Sequence, residues 1–176
     1  MTLLDRAKID IQLGGIAVLE TKRLVLRAPR FEDAKQVAAL ANERCVAENT
    51  ARIPHPYRID DARQWISAAT SQSDAFVITI GGEVIGACGL EGAELGYWIG
   101  VPFWGCGYAT EAARGLIDYA FGDLGYKVLT ASARVSNPAS RRVLEKCGFE
   151  WTGVGLCRVR AISSSVPVDR FRLERP

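Results

Sequence analysis

The residues best suited to chemistry lie in one glycine-rich stretch, Trp98-Ile-Gly-Val-Pro-Phe-Trp-Gly-Cys-Gly-Tyr-Ala-Thr-Glu-Ala112. Gly100, Gly105 and Gly107 let the backbone turn tightly and approach a ligand closely, because glycine tolerates positive φ and has no Cβ. Beyond Gly107 the pattern changes period. Ala113, Leu116, Ile117 and Ala120 fall at i, i+3, i+4 and i+7, one face of a helix. A helix that opens on such a loop offers unpaired N–H groups and a positive dipole end, a setting suited to phosphate. The dipole alone is worth ~0.3–1 kcal/mol, up to ~2 kcal/mol when partly buried, so converging N–H groups must carry most of the binding. Other reactive side chains are sparse. His55 is the only histidine, which gives little support to a histidine triad or a metal site. Cysteines 45, 88, 106, 147 and 157 are odd in number and form no C-x-x-C pair. That pattern argues for free thiols in a reducing cytoplasm, and against zinc or a disulfide framework. Cys106 sits inside the loop without a histidine partner in view and reads as a small tolerated side chain rather than a nucleophile.

Two familiar phosphate loops do not fit. A P-loop needs Lys-Ser or Lys-Thr after its second glycine, where this chain has Tyr108-Ala109. The last glycine of a dinucleotide-binding G-x-G-x-x-G would fall at or near Thr110 and is missing. Composition narrows the classes further. At 176 residues, 48% hydrophobic and 24% charged, the chain is long enough for one domain with a sizeable core and is not wholly disordered. The net charge of +2 is too small to imply nucleic-acid binding through bulk electrostatics. No apolar run approaches the ~18 residues of a transmembrane helix. Asp5, Arg6, Lys8 and Asp10 interrupt any signal-peptide apolar region.

The elements that must hold the loop follow from periodicity and punctuation. Residues 1–20 carry weak signals, broken by Gly14-Gly15, and read as an N-terminal extension ahead of a single domain over 21–176. Arg23–Ala28 alternates as a strand stopped by Pro29. A helix is expected over Phe31–Asn42, a second short one through Cys45–Asn49, and a third from an Asp60 cap with Ala62, Trp65, Ile66 and Ala69 inward. Ala75–Ile80 and Val84–Leu90 around Gly81-Gly82 predict a hairpin, and Glu94–Ile99 a third strand running into the loop. After a helix over Thr110–Gly122 come a strand at Lys127–Ala133 and a short helix from Asn137 to Lys146 closed by Gly148. Two last strands, about 149–162 and 166–173, flank Ser163–Ser165 as a turn. The class is α+β, a mixed α/β domain with an antiparallel sheet ahead of a β-α-β-α-β-β half.

Three motifs in this order resemble the GNAT N-acetyltransferase superfamily. The loop matches its acyl-CoA pattern Gln/Arg-x-x-Gly-x-Gly/Ala at Gly107 and Ala109, with Trp104 departing at the first position. Trp-Gly-x-Gly-Tyr-Ala-Thr-Glu-Ala over 104–112 is similar to the RimJ/RimL-like branch, as are Thr21-x-Arg-Leu-x-Leu-Arg27 and Glu94-x-Gly-Tyr-Trp-Ile99. Asn137-x-x-Ser140 followed by Leu144-Glu-Lys-x-Gly-Phe149 completes the likeness, which covers nearly all of 21–173. The resemblance implies a mostly antiparallel twisted sheet of about seven strands, splayed at a CoA cleft and flanked by about four helices. It implies acetyl-CoA as cosubstrate without a metal, and direct attack of a primary amine on the thioester. Such an enzyme acts on a protein N-terminus, an amino acid or another small amine. It is expected to be cytoplasmic, a monomer or homodimer, with no nucleic-acid or membrane partner.

By the same resemblance, the backbone of Trp104, Gly105, Cys106, Gly107, Tyr108, Ala109 and Thr110 holds the pyrophosphate. Tyr97, Trp98 and Ile99 line the pantetheine, and Asn137 contacts CoA. Arg142, with Arg141, reaches the nucleotide phosphates or lies on a solvated helix face. Many members carry a tyrosine acid four residues before Gly148, where this chain has Leu144. Ser140, one turn earlier on the same face, matches a serine given that role in Rim-like members, or else makes a helix-start hydrogen bond. Glu94 borders the cleft and is the expected base, against the alternative of an exposed strand carboxylate. Glu111 reads as a dipole partner in the first helical turn. His55 and Tyr57 either rim the acceptor pocket or, for His55, stand exposed and unemployed. The departure at Leu144 leaves open a non-catalytic acyl-CoA-binding sensor or interaction module.

Overall fold

The computed structural model describes residues 8–11, 17–71 and 74–176. Its described residues form one sheet of nine strands rather than about seven, with five α-helices rather than about four. The strands are β1 Lys8–Ile11, β2 Ala17–Glu20, β3 Val25–Arg27, β4 Ala75–Ile80, β5 Glu83–Glu91, β6 Glu94–Ile99, β7 Val128–Arg134, β8 Glu150–Val159 and β9 Ser164–Glu174. They lie in the order β1-β2-β3-β4-β5-β6-β7-β9-β8. All neighbours are antiparallel except β6 and β7. The helices are α1 Ala34–Ala41, α2 Arg44–Ala47, α3 Ile59–Ser71, α4 Tyr108–Gly122 and α5 Pro138–Lys146.

The two additional strands fall within the stretch read from sequence as an extension. Ala17 and Leu19 of β2 are buried in the main core, so this short segment is held by packing that its own four residues cannot advertise. The strand expected from Arg23 begins only at Val25. Thr21 makes the difference: its N–H donates to Leu24 O at 2.9 Å and its Oγ1 accepts from Leu24 N–H at 3.0 Å. That turn converts residues 21–24 into the β2–β3 connection. The first expected helix likewise starts later, since Phe31–Asp33 is a 3-10 turn pinned by Asp33, which accepts from Arg27 and from Arg30 N–H.

Burial separates three layers. Leu116, Ala113 and Leu144 of α4 and α5 join Leu95, Ile99, Leu129 and Phe171 on one face of the sheet. Val37 and Ala41 of α1 and Ile66 of α3 join Val77 and Val84 on the other. A small third cluster, Val159, Val166 and Val168, closes the β8–β9 end. Helix ends follow their sequence signals. Asn137 Oδ1 accepts from Ser140 N–H at 3.2 Å to cap α5, with Pro138 in its first turn. At the other end Gly148, at φ +89°, allows Phe149 N–H to reach Leu144 O and Gly148 N–H to reach Glu145 O, a Schellman closure.

Candidate functional site

The parallel pair β6 and β7 touches at one register position only, Glu94 opposite Thr130. Thr130 N–H donates to Ala93 O at 2.8 Å just before β6 begins. From there the two strands part. The β6 residues after Glu94 pair with β5 alone, while β7 stays with β9 along its whole length. The sheet therefore contains a wedge-shaped opening whose β6 edge has no strand partner beyond Glu94. Unpaired strand groups are a ready template for amides of an extended ligand.

Past the open end of β6 the chain enters the glycine loop. Gly105 and Gly107 hold φ of +75° and +80°, a left-handed conformation that costs other residues ~1–2 kcal/mol. Gly107 caps α4, whose first intrahelical bond runs from Glu111 N–H to Gly107 O at 3.1 Å. The N–H groups of Tyr108, Ala109 and Thr110 lie ahead of that bond and face outward from the helix start, as phosphate binding requires. Trp104 folds back, its indole N–H donating to Ile99 O at 2.7 Å, and stays half exposed. Cys106 is exposed, with its thiol directed at Trp104 O, 3.6 Å away.

An anchor that the sequence reading did not assign holds this loop from behind. Arg23 donates through Nε to Glu111 Oε2 at 2.6 Å and through Nη1 to Cys106 O at 3.0 Å. Its guanidinium also lies 4.6 Å from the Tyr108 ring centre. Thr21 Oγ1 and Arg23 N–H each donate to Glu111 Oε1 at 2.7 Å. Burial works against the Glu111 carboxylate, but these donors outweigh it and hold its carboxyl below the usual range. Glu111 is thus more than a dipole partner: it ties the helix start to the β2–β3 turn. Thr21 and Arg23 were visible as a motif, but nothing local in the sequence links them to a residue some ninety positions away.

The proton-handling candidates sit on opposite faces of the opening. Leu95, Tyr97 and Ile99 pack toward α4 and α5, and Trp98 packs toward α1 and α3. Strand alternation then puts Glu94, Gly96 and Trp98 on the α1/α3 face. Glu94 is exposed at the vertex of the wedge and accepts from Ser132 Oγ of β7 at 3.3 Å. On the other face Tyr97 crosses the opening to α5, its hydroxyl 2.9 Å from Ser140 Oγ and 3.2 Å from Ser140 O. Burial pushes the Tyr97 phenol up to about 12, with Ser140 opposing slightly, so it is a neutral hydroxyl at ordinary pH. Leu144, where the resemblance leads one to expect a tyrosine, is fully buried core. Arg142 is exposed, whereas Arg141 is engaged by Glu145 at 2.8 Å and Asp169 at 3.4 Å. His55 is exposed, but Tyr57 is buried with α1 and α3 rather than standing at a rim, and burial pushes its phenol up to about 12. Among the described residues no group of His, Cys, Asp or Glu side chains is gathered as a metal cluster, and no helix is long and apolar enough to cross a membrane.

The wedge, the free helix start and the order of the elements agree with the family comparison, in which an acetyltransferase (GNAT) domain matches residues 23–150. The chain belongs to the GNAT acetyltransferase family. An uncharacterized N-acetyltransferase of Bacillus licheniformis, p20, is 31% identical over 150 residues, 77% of this chain and 84% of its own. A GNAT-family acetyltransferase structure from Bacillus anthracis superposes with a TM-score of 0.79 at 19% identity, over 89% of this chain and 98% of that one. RimJ of Mycobacterium smegmatis, in a complex with CoA-disulfide, does so at 0.72 and 22%, over 86% and 81%. These structural likenesses show that the GNAT fold is shared, including with a Rim-type member.

Proposed function

We propose that this GNAT domain is an N-acetyltransferase that moves an acetyl group from acetyl-CoA directly to a primary amine. The observation that carries the reading is the wedge between β6 and β7, whose unpaired edge leads to the free N–H groups at the start of α4. The residues present fit the cosubstrate. The backbone of Gly105–Thr110 would hold the pyrophosphate, since Trp104 N–H already donates to Val101 O. The β6 edge would pair with pantetheine amides at Tyr97 and Ile99 N–H, while Trp98 turns its backbone groups to β5. The side-chain amide of Asn137 keeps its N–H2 donors beyond the capping bond, and Arg142 is an exposed cation nearby on α5. Acetyl-CoA, when bound, supplies the activated acyl thioester.

The chain's own groups then divide the proton work across the sheet. Glu94, on the α1/α3 face, takes the proton released by the amine, directly or through water. Ser140, backed by the neutral Tyr97 phenol, donates from the α4/α5 face to the departing thiolate. A thiolate of ordinary pKa, ~8.5, is a good enough leaving group that a hydroxyl donor suffices. A reacting centre lodged in the wedge is reached from both faces, so orientation supplies much of the acceleration. The sensor alternative rested on Leu144, and the paired hydroxyls of Tyr97 and Ser140 supply the donor that Leu144 does not. The acceptor class is a protein N-terminus, an amino acid or another small amine.

Thiol release from acetyl-CoA, measured against a panel of N-terminal peptides, amino acids, polyamines and aminoglycosides, tests the proposal. Acceptor-dependent release supports it. Tight acetyl-CoA binding with no release for any acceptor would favour the sensor, and an absence of acetyl-CoA binding would remove the reading of the wedge.

A further inference from the structure

A second concave feature lies away from the glycine loop, where the end of α2 meets the β8–β9 hairpin. A cavity of about 380 Å³ is lined there by Ala51, Arg52, Arg158, Arg160 and Ser163. Its two walls are joined by the bond from Arg160 N–H to Ala51 O at 3.0 Å. Three exposed arginines therefore line one open cavity; Arg52 is bonded to Glu91, and the Glu48 carboxylate at the end of α2 pairs with Arg44 and faces Arg134. Arg158 and Arg160 have no ion-pair partner among the described residues. A fourth guanidinium approaches the same end of α2. Arg134 Nη1 donates to Glu48 O at 2.7 Å, while its buried Nε has no acceptor among the described residues. Like charges gathered in a concavity repel one another and focus a positive field, which an anionic ligand relieves. Guanidinium groups also match carboxylate and phosphate geometry bidentately.

The position of the cavity ties it to the reaction. Glu91, which holds Arg52, is the direct cross-strand partner of Glu94 in the β5–β6 hairpin. Opposed residues place their Cβ atoms ~4.5–5.5 Å apart. The cavity wall is thus one ion pair and one strand neighbour from the proposed base. We infer that this cavity is an acceptor subsite for anions, so that the preferred amine carries a carboxylate or phosphate near its reacting nitrogen. The inference rests on the proposed acetyl transfer for the placement of the amine. It disfavours polyamines and lysine-rich N-termini, whose extra cations would meet the arginines.

The test compares acetylation of matched peptides that differ only after the first residue: Asp-Glu, Gly-Gly or Lys-Lys. Aspartate and phosphoethanolamine serve as small anionic amines, and spermidine as a polycation. Charge-assisted contacts predict a kcat/KM for the acidic peptide ~10–100-fold above the lysine peptide, shrinking in about 0.5 M salt. In an Arg158→Ser/Arg160→Ser variant that still binds acetyl-CoA, the acidic-to-neutral ratio should fall toward one. An Arg158→Lys/Arg160→Lys variant should retain part of it. Preference for the acidic peptide over the small anionic amines, or the reverse, names the source of the anion. Equal or better use of the lysine peptide or spermidine overturns the inference, as does a ratio unmoved in the serine variant. Anisotropy of a labelled acidic peptide on the CoA-loaded protein separates the two readings. Arginine-dependent binding without transfer to any acceptor would sink the proposed function and leave the anion subsite standing, whereas transfer without arginine dependence would do the opposite.

Discussion

The two sides of the wedge are built differently. On the proposed cosubstrate side most ligand-facing groups would be backbone N–H, with Arg23 and Glu111 standing behind the loop as struts and Asn137 capping α5 while keeping its amide donors. On the proposed acceptor side the exposed groups are themselves side chains, namely Glu94, Arg52, Arg158 and Arg160. Backbone groups bind what every member of such a family must bind, because their geometry depends on the loop and hardly on which residues fill it. Side-chain groups can be exchanged without disturbing the fold, so selectivity can change on one side while the other stays fixed.

The sharpest way to break this comparison is Gly107→Glu. A carboxylate added to the proposed phosphate loop, at a residue with φ +80° whose Cβ would lie 3.5 Å from Arg23 Nη2 of the strut, should lower acetyl-CoA affinity by at least about a thousandfold. Calorimetric titration of a variant with native circular dichroism checks it, and unaltered affinity would mean that the phosphates bind elsewhere. Glu94→Gln is next. Loss of a general base typically costs ~10²–10⁴-fold, so kcat should fall by that order while acetyl-CoA affinity holds. A normal rate at neutral pH would strip Glu94 of the role.

The struts predict a smaller, coupled effect. Arg23→Ala and Glu111→Ala should each weaken acetyl-CoA binding about tenfold, and the double variant little more, because residues in one network couple by ~0.5–3 kcal/mol. Strict additivity in that cycle would show that the ion pair at 2.6 Å does not preorganise the loop. Ser140→Ala should then cost more in kcat than Tyr97→Phe, with both effects below about a hundredfold if the hydroxyls act as donors. The Tyr97 phenol, raised from 10.0 to about 12, also links to stability. Its contribution is fully present below pH 10 and is lost as pH rises toward 12, since the unfolded chain gives up the proton first. Chemical denaturation of wild type and Tyr97→Phe between pH 9 and 11 should show the steeper decline in wild type. The mildest probe is Cys106. Its exposed thiol should be alkylated readily, and several-fold more slowly under saturating acetyl-CoA.

Much of this was readable in the one-dimensional chain wherever the signal was local. Glycine spacing marks the loop, Asn137 and Gly148 mark the ends of α5, and Gly81-Gly82 the hairpin, because caps and turns need particular residues within four positions of each other. The positions that escaped have partners far along the chain. β2 is four residues long and is specified by the core it joins. Tyr97 meets Ser140 across 43 positions and Arg23 meets Glu111 across 88. Tyr57, two positions after His55, differs from it in burial, one side chain buried and the other exposed.

By itself the sequence determined the α+β class and the glycine loop with its helix, since backbone geometry and capping are dictated residue by residue, and its motifs resemble the GNAT family that the domain match shows. The tertiary structure decided how far β6 and β7 separate, which faces Glu94 and Ser140 occupy, and that arginines from the loop after α2 and from the last hairpin line one cavity. Those outcomes depend on how distant elements pack. No spacing along the chain encodes them, because a side chain's partners are chosen by the layers that bury or expose it.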